Sequence, residues 1–131
     1  MKKTLYVLGF LFDKEVSNVV LIEKNRPDWQ KGKLNGIGGR VEELETSYDA
    51  MIREFREETG LDITDWKHFT TIGEEHYEIS CYVSFSDSIN KVVTMTDEIV
   101  FVHSIEKIWT ENFPMVPNLL KLISLAMSET K

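Results

Sequence analysis

Apolar residues run almost unbroken from Leu5 to Phe12 and again from Val19 to Ile22, with the polar stretch Asp13-Lys14-Glu15 between them. Runs of this length, rich in β-branched and aromatic residues and separated by a turn, predict a buried strand over Thr4–Phe12 and a second over Ser17–Glu23 able to pair with it. The opening Met1-Lys2-Lys3 followed by apolar residues has the outline of a signal peptide. The run stops at a charged triplet with no small-residue cleavage site, so it is read as the first strand. A polar loop with Pro27, Gly32 and Gly36 ends at Gly38-Gly39, where close backbone approach or a positive φ is expected. A short strand, Gly39–Glu42, follows. The period then changes from two to 3.6: Tyr48, Met51, Ile52 and Phe55 share one side of a helix placed at Thr46–Thr59, with Thr46 or Ser47 as N-cap and Gly60 as a left-handed C-cap.

Downstream, Ile63–Glu74 and His76–Phe85 are β-rich and separated by Gly73, and a loop over Ser86–Thr96 leads to another β-branched run at Glu98–Ser104. An irregular segment, Glu111–Pro117, precedes a C-terminal amphipathic helix marked by Leu119, Leu120, Leu122, Ile123 and Ala126. The predicted order is β-β-β-α-β-β-β-α, without internal repeat or linker, and 131 residues form a single domain over 1–131.

Composition narrows the partners. With 42% hydrophobic and 28% charged residues the chain is neither disordered nor membrane-embedded, and no run reaches transmembrane length. A net charge of −7 without a Lys/Arg cluster disfavours long nucleic acid but allows a small anion bound through metal ions. The single cysteine, Cys81, sits in an apolar alternation and reads as a buried strand residue; one cysteine makes no intrachain disulfide, which fits a reducing, cytoplasmic setting. His68, His76 and His103 lack metal-ligand spacing and are given no role.

The side of the helix opposite its apolar face carries the chemistry. Glu54, Glu57 and Glu58 are related by i+3 and i+4 and project together. Crowding like charges costs stability, a cost that cations offset, and hard carboxylate oxygens suit Mg²⁺ or Mn²⁺ shared with substrate phosphates. Arg53, four residues before Glu57, is within reach to orient these carboxylates, and Glu45 is expected to support the turn.

The full pattern is Gly39-x5-Glu45-x7-Arg53-Glu54-Phe55-x-Glu57-Glu58-x-Gly60-Leu61. It resembles the signature of the Nudix hydrolases at every fixed position, with Phe55 aromatic where the family usually has an aliphatic residue. The resemblance implies an α/β (α+β) fold, an α/β/α sandwich with a mixed central sheet and a catalytic loop-helix-loop. It also implies a Mg²⁺ (or Mn²⁺) site held by Glu54, Glu57, Glu58 and the Gly38 carbonyl, with one more glutamate from a distant loop. Glu98 in Thr96-Asp97-Glu98-Ile99 is the candidate, with Asp97, Glu74, Glu75 and Glu78 as competitors; either Glu54 or Glu98 serves as the base, since relatives differ.

Outside that motif the resemblance is thinner. The segment from Trp29 to Gly39 is similar to the loop before the motif in oxidised-purine triphosphatases of the family, which implies that Trp29 stacks on a base and Asn35 reads its edge. Phe113-Pro114-Met115-Val116-Pro117-Asn118 resembles, with one residue inserted, a stretch that supplies a base-reading Asn, here Asn118. Lys24, or Arg26 beside it, falls where relatives contact phosphate. The implied activity is Mg²⁺-dependent hydrolysis of a purine nucleoside triphosphate, in normal or oxidised form, to monophosphate and pyrophosphate, by a monomer or homodimer. The alternatives are another nucleoside diphosphate derivative (ADP-ribose, a dinucleoside polyphosphate, a nucleotide sugar) and a non-catalytic binding module, a class that commonly lacks the acidic residues present here.

Overall fold

The structure, a computed structural model, describes residues 2–129, so residues 1, 130 and 131 of the predicted domain lie outside it. Strand β1 (Thr4–Phe12) is continuously apolar from Val7 to Phe12, where both of its sides are covered. Val7 and Leu11 join one buried cluster with Ala50, Met51 and Phe55 of helix α1 (Ser47–Thr59). Leu8, Phe10 and Phe12 join a second cluster with residues of α2 (Ile105–Thr110) and α3 (Leu119–Met127), among them Ile108, Leu122 and Ile123. Each fully buried side chain of this size contributes roughly 1.5–3 kcal/mol. The result is the three-layer α/β/α arrangement expected from the sequence.

The sheet between the helices has seven strands: β1, β2 (Asn18–Glu23), β3 (Leu34–Asn35), β4 (Ile37–Arg40), β5 (Lys67–Gly73), β6 (Tyr77–Phe85) and β7 (Ile99–Ser104). It is mixed. Strand β1 pairs parallel with β6 from Thr4↔Tyr77 to Phe12↔Phe85, and antiparallel with β4 from Tyr6↔Arg40 to Gly9↔Ile37. Strand β2 pairs antiparallel with β7, Glu23 facing Ile99, and at its other side with the short β3. Cys81 is fully buried on β6, as predicted, and burial pushes its thiol up to about 12, which leaves it a packing residue. No helix among the described residues is long and apolar enough to cross a membrane.

The structure departs from expectation in several places: the short strand β3 lies in the stretch read as a loop, β4 ends at Arg40 rather than Glu42, and three further differences have a clear physical reason. Residues 105–110, to which the pattern assigned no element, form α2, capped by the Ser104 hydroxyl; Ile105 and Ile108 are its two buried positions, too few to establish a period. Strand β4 starts at Ile37 rather than Gly39, because its pairing with β1 begins there. Strand β5 starts at Lys67 rather than Ile63: the preceding residues turn Ile63 and Trp66 onto α1 instead of extending the sheet, and Trp66 meets Phe55 edge-on with centroids 5.1 Å apart.

Candidate active site on helix α1

Helix α1 is delimited by local chemistry. The Thr46 hydroxyl accepts from the Asp49 amide, Gly60 closes the C-terminus at φ 77°, and the Glu45 carboxylate accepts from the Glu42 amide to tighten the entering turn. Its buried side holds Ala50, Met51, Phe55 and Thr59. That seating turns Arg53, Glu54, Glu57 and Glu58 toward β4 and the loops at the sheet end.

Arg53 is the organising cation. Its Nε lies 2.7 Å from Glu45 and 3.3 Å from Glu42, its Nη1 3.1 Å from Glu54 and 3.0 Å from Glu57, and its Nη2 donates to the Arg40 carbonyl at 3.0 Å. One guanidinium is divided among four carboxylates. Glu45, held at short range, is lowered below the usual carboxylate range. Glu54 goes the other way: burial, only partly offset by Arg53 and reinforced by Glu57 and Glu58, pushes it up to about 7. Glu58, outside Arg53's set, is also raised by burial, and its Oε2 accepts from the Thr96 hydroxyl at 3.1 Å.

Glu98 lies at the mouth of β7, across the sheet end from α1, with only 3% of its surface exposed. Lys24 Nζ donates to its Oε1 at 3.0 Å, and the Asn25 and Arg26 amides donate to its Oε2 at 2.6 and 3.2 Å. Burial raises its proton affinity, but these donors more than offset it, and the net shift is downward. Glu98 and Glu58 repel one another electrostatically. Asp97 beside it pairs with Arg26 and Asn25. A cleft of about 280 Å³ opens next to this pair, lined by Glu23, Lys24, Asn25, Lys31, Gly32, Asp97 and Ile99.

The family model for the NUDIX domain matches residues 2–124. The chain belongs to the Nudix family. It is a Nudix hydrolase. An 8-oxo-dGTP diphosphatase of Proteus vulgaris is 29% identical over 85 residues, covering 64% of this chain and 75% of that protein. A MutT solved in a comparison of the Aliivibrio salmonicida and Vibrio cholerae proteins superposes with a TM-score of 0.77 at 23% identity, covering 94% of this chain and 98% of its own. The NUDIX domain of Shewanella oneidensis NrtR, complexed with ADP ribose, superposes with a TM-score of 0.76 at 19% identity, covering 97% and 88%.

Nudix hydrolases generally use divalent metals, and the donor set here fits one. Four carboxylates, Glu42, Glu45, Glu54 and Glu57, share the guanidinium of Arg53, Glu58 lies beside them without it, and this excess of negative charge over positive suits a divalent cation. Gly39 on β4 has no side chain because the Glu54 carboxylate fills the space where a Cβ would stand. The carboxylates are not gathered into a finished cage: among the described residues no three His, Cys, Asp or Glu side chains stand together as metal ligands. Glu54 and Glu57 turn to Arg53, Glu58 to Thr96, and Glu98 to Lys24 and two amides.

The remaining predicted residues fall as follows. Gly38, half-buried on β4, pairs with Leu8. Lys24 meets Glu98 rather than standing free, and Arg26 meets Asp97. Trp29 is 58% exposed on a single turn of 3-10 helix, Asp28–Gln30, with Lys33 Nζ 6.0 Å from its ring centre. The Asn35 side-chain oxygen accepts from the Gly36 amide, and Asn118, exposed at φ 70°, starts α3 without a side-chain cap. Their segments are adjacent, since Leu34 exchanges backbone hydrogen bonds with Pro114 and Val116. Sequence reasoning gave no role to Thr96, Asn25 or Arg40. The signal for Thr96 was present, a Ser/Thr two residues before a buried acid, where its hydroxyl caps the following amide.

Proposed function

We propose that this Nudix hydrolase splits a purine nucleoside triphosphate, an oxidised one among them, to the monophosphate and pyrophosphate, with Mg²⁺ or Mn²⁺ as cofactor. The observation that carries the reading is the gathering of Glu42, Glu45, Glu54 and Glu57 around the one guanidinium of Arg53, with Glu58 beside them, a set with more negative charge than Arg53 can neutralise. Glu54, Glu57, Glu58, Glu98 and the Gly38 carbonyl would hold a divalent cation, which would supply positive charge against the phosphate oxygens. Glu54 is the carboxylate we assign to accept the proton of the attacking water, since Arg53 holds it in place at 3.1 Å. Arg53 keeps Glu54 and Glu57 oriented through Nη1. Lys24 can leave Glu98 for a phosphate oxygen without crossing the site, since it lines the adjoining cleft with Lys31.

For the base, support comes from an exposed indole and two side-chain amides with donors to spare. Trp29 is not consumed by packing and Asn118 is not consumed by capping. Stacking tolerates any purine, whereas amides discriminate between edges. The curated relative, an 8-oxo-dGTP diphosphatase, supports an oxidised guanine substrate. The NrtR domain complexed with ADP ribose supports the second reading, hydrolysis of a nucleoside diphosphate derivative, through fold alone.

The test is a panel of normal and oxidised nucleoside triphosphates, ADP-ribose, a dinucleoside polyphosphate and a nucleotide sugar, with products identified. Monophosphate and pyrophosphate from a purine triphosphate, at the highest kcat/KM of the panel and only with added metal, is the expected result. A higher kcat/KM for ADP-ribose would overturn the substrate assignment. Glu57→Gln and Glu58→Gln are expected to lower turnover by about 100-fold or more with the fold intact; unchanged rates in both would remove the metal site from these residues.

A further inference from the structure

Two of the carboxylates assigned to the metal come from elements far apart in the chain, Glu58 on α1 and Glu98 at the start of β7, and something must fix the one against the other. Arg53 does not do it: it engages Glu42, Glu45, Glu54 and Glu57 but not Glu58. Thr96 touches both. Its hydroxyl donates to Glu58 Oε2 at 3.1 Å and accepts from the Glu98 amide at 3.1 Å, which uses the single proton and a lone pair of one oxygen.

The backbone around Thr96 is docked on the same helix. The Val93 amide donates to the Thr59 carbonyl at 2.9 Å and the Met95 amide to the Glu58 carbonyl at 3.2 Å, so the loop satisfies carbonyls that the end of α1 leaves open. Val93 and Met95 pack directly on Gly60, where a Cβ would stand 3.3 Å from Val93 Cγ2 and 3.4 Å from Met95 Sδ. Thr94 closes the loop on itself by accepting from the Val100 amide at 2.9 Å. The loop is therefore held by backbone bonds and Thr94, and the Thr96 hydroxyl is spent on the two carboxylate-bearing residues. Its methyl group restricts χ1, which keeps the hydroxyl aimed.

We infer that Thr96 is a positioning residue of the Nudix site, a hydroxyl clasp that holds Glu58 and Glu98 in mutual register so that a divalent cation can bridge the helix and the β7 loop. This rests on the proposed metal-dependent reading and adds a residue to it. Without the clasp, repulsion between two half-buried or buried carboxylates turns the Glu58 side chain outward, and cation affinity falls while the nucleotide surfaces around Trp29 and Asn118 are untouched.

The experiment measures Mn²⁺ binding to the whole protein by electron paramagnetic resonance without nucleotide, together with kcat and KM, for wild type, Thr96→Val, Thr96→Ser and Thr94→Val. Thr96→Val keeps the shape and loses the hydroxyl; it is expected to weaken Mn²⁺ binding and lower kcat by about 10- to 100-fold with KM for nucleotide within about twofold. Thr96→Ser should restore both. Thr94→Val, which loosens the same loop without touching Glu58, should bind Mn²⁺ as wild type does. Wild-type Mn²⁺ affinity in Thr96→Val overturns the inference, as does a Thr94→Val defect equal to that of Thr96→Val. Should Thr96→Val fail to fold, weakened binding in a folded Thr96→Ser overturns it and wild-type binding there upholds it. Weak Mn²⁺ binding in Thr96→Val alongside a wild type that hydrolyses no triphosphate leaves the clasp standing and removes the substrate reading. A wild type that binds no Mn²⁺ removes both.

Discussion

Glu54 and Glu98 are both glutamates in one site, and their surroundings drive them in opposite directions. Glu98 is the more deeply buried, yet two amides and an ammonium complete its hydrogen bonding and it stays ionised. Glu54 has a share of one arginine and faces two other carboxylates, and it titrates at about 7 against an ordinary 4.5. Between those two values the unfolded chain has released the proton that the folded chain still holds, so Glu54 makes stability fall as pH rises through that window. The effect approaches about 3 kcal/mol above pH 7. Glu98, lowered, contributes stability that is present above its unfolded value and is lost as pH falls through its folded one. Urea unfolding in a chelating buffer is the check: Glu54→Gln should match wild type near pH 4 and exceed it by about 2–3 kcal/mol at pH 8. Parallel wild-type and variant profiles would show that Glu54 is an ordinary acid. Saturating Mg²⁺ should narrow the difference, since wild type has one more carboxylate for the cation to neutralise.

At the level of elements, β4 is the piece that fits the helix to the sheet, and its two glycines fail differently. A Cβ on Gly38 would strike the Val7 carbonyl of the neighbouring strand, which is backbone and has nowhere to go. One on Gly39 would strike the Glu54 carboxylate, the far end of a side chain that can swing away. Gly38→Ala should therefore lower stability by about 2–3 kcal/mol. Gly39→Ala should keep the melting temperature within a few degrees while lowering kcat/KM more than about tenfold, because the displaced group is the proposed base. Thermal unfolding and kinetics on the pair decide it, and equal stability losses would refute the distinction. The helix, its cap and the glycine pair were legible in sequence because they are local: period, cap and turn all lie within residues 38–60. So was Arg53 meeting Glu57 at i+4. What could not be read is set by pairing between distant strands. Lys24 meets Glu98 because the β2–β7 register places Glu23 opposite Ile99, and no spacing in the chain announces that register. Helix α2 escaped because six residues with two buried positions do not make a pattern.

For the molecule as a whole, the parallel pairing of β1 with β6 has a consequence in time. Thr4 must find Tyr77 and Phe12 must find Phe85, so the centre of the sheet closes around everything between, α1 and both its glycines included. The nearer partners of β1 cover it poorly, since β2 meets it at Phe12↔Val19 and β4 along four residues. A fragment ending at residue 75 lacks β6 and should show no protected amides in hydrogen exchange, whereas a slowly exchanging α1 in that fragment would refute this account. On a ribosome adding about 5–20 residues per second, several seconds separate the emergence of β1 from that of its parallel partner. Throughout that interval Leu5 to Phe12 is a length of greasy, β-prone chain with nothing to lie against, and the acidic helix beside it has no scaffold to hold its charges together. The acidic face of α1 thus gains its scaffold only after β6 has followed it off the ribosome, and until then the strand that later anchors the enzyme is bare apolar chain of the kind chaperones bind.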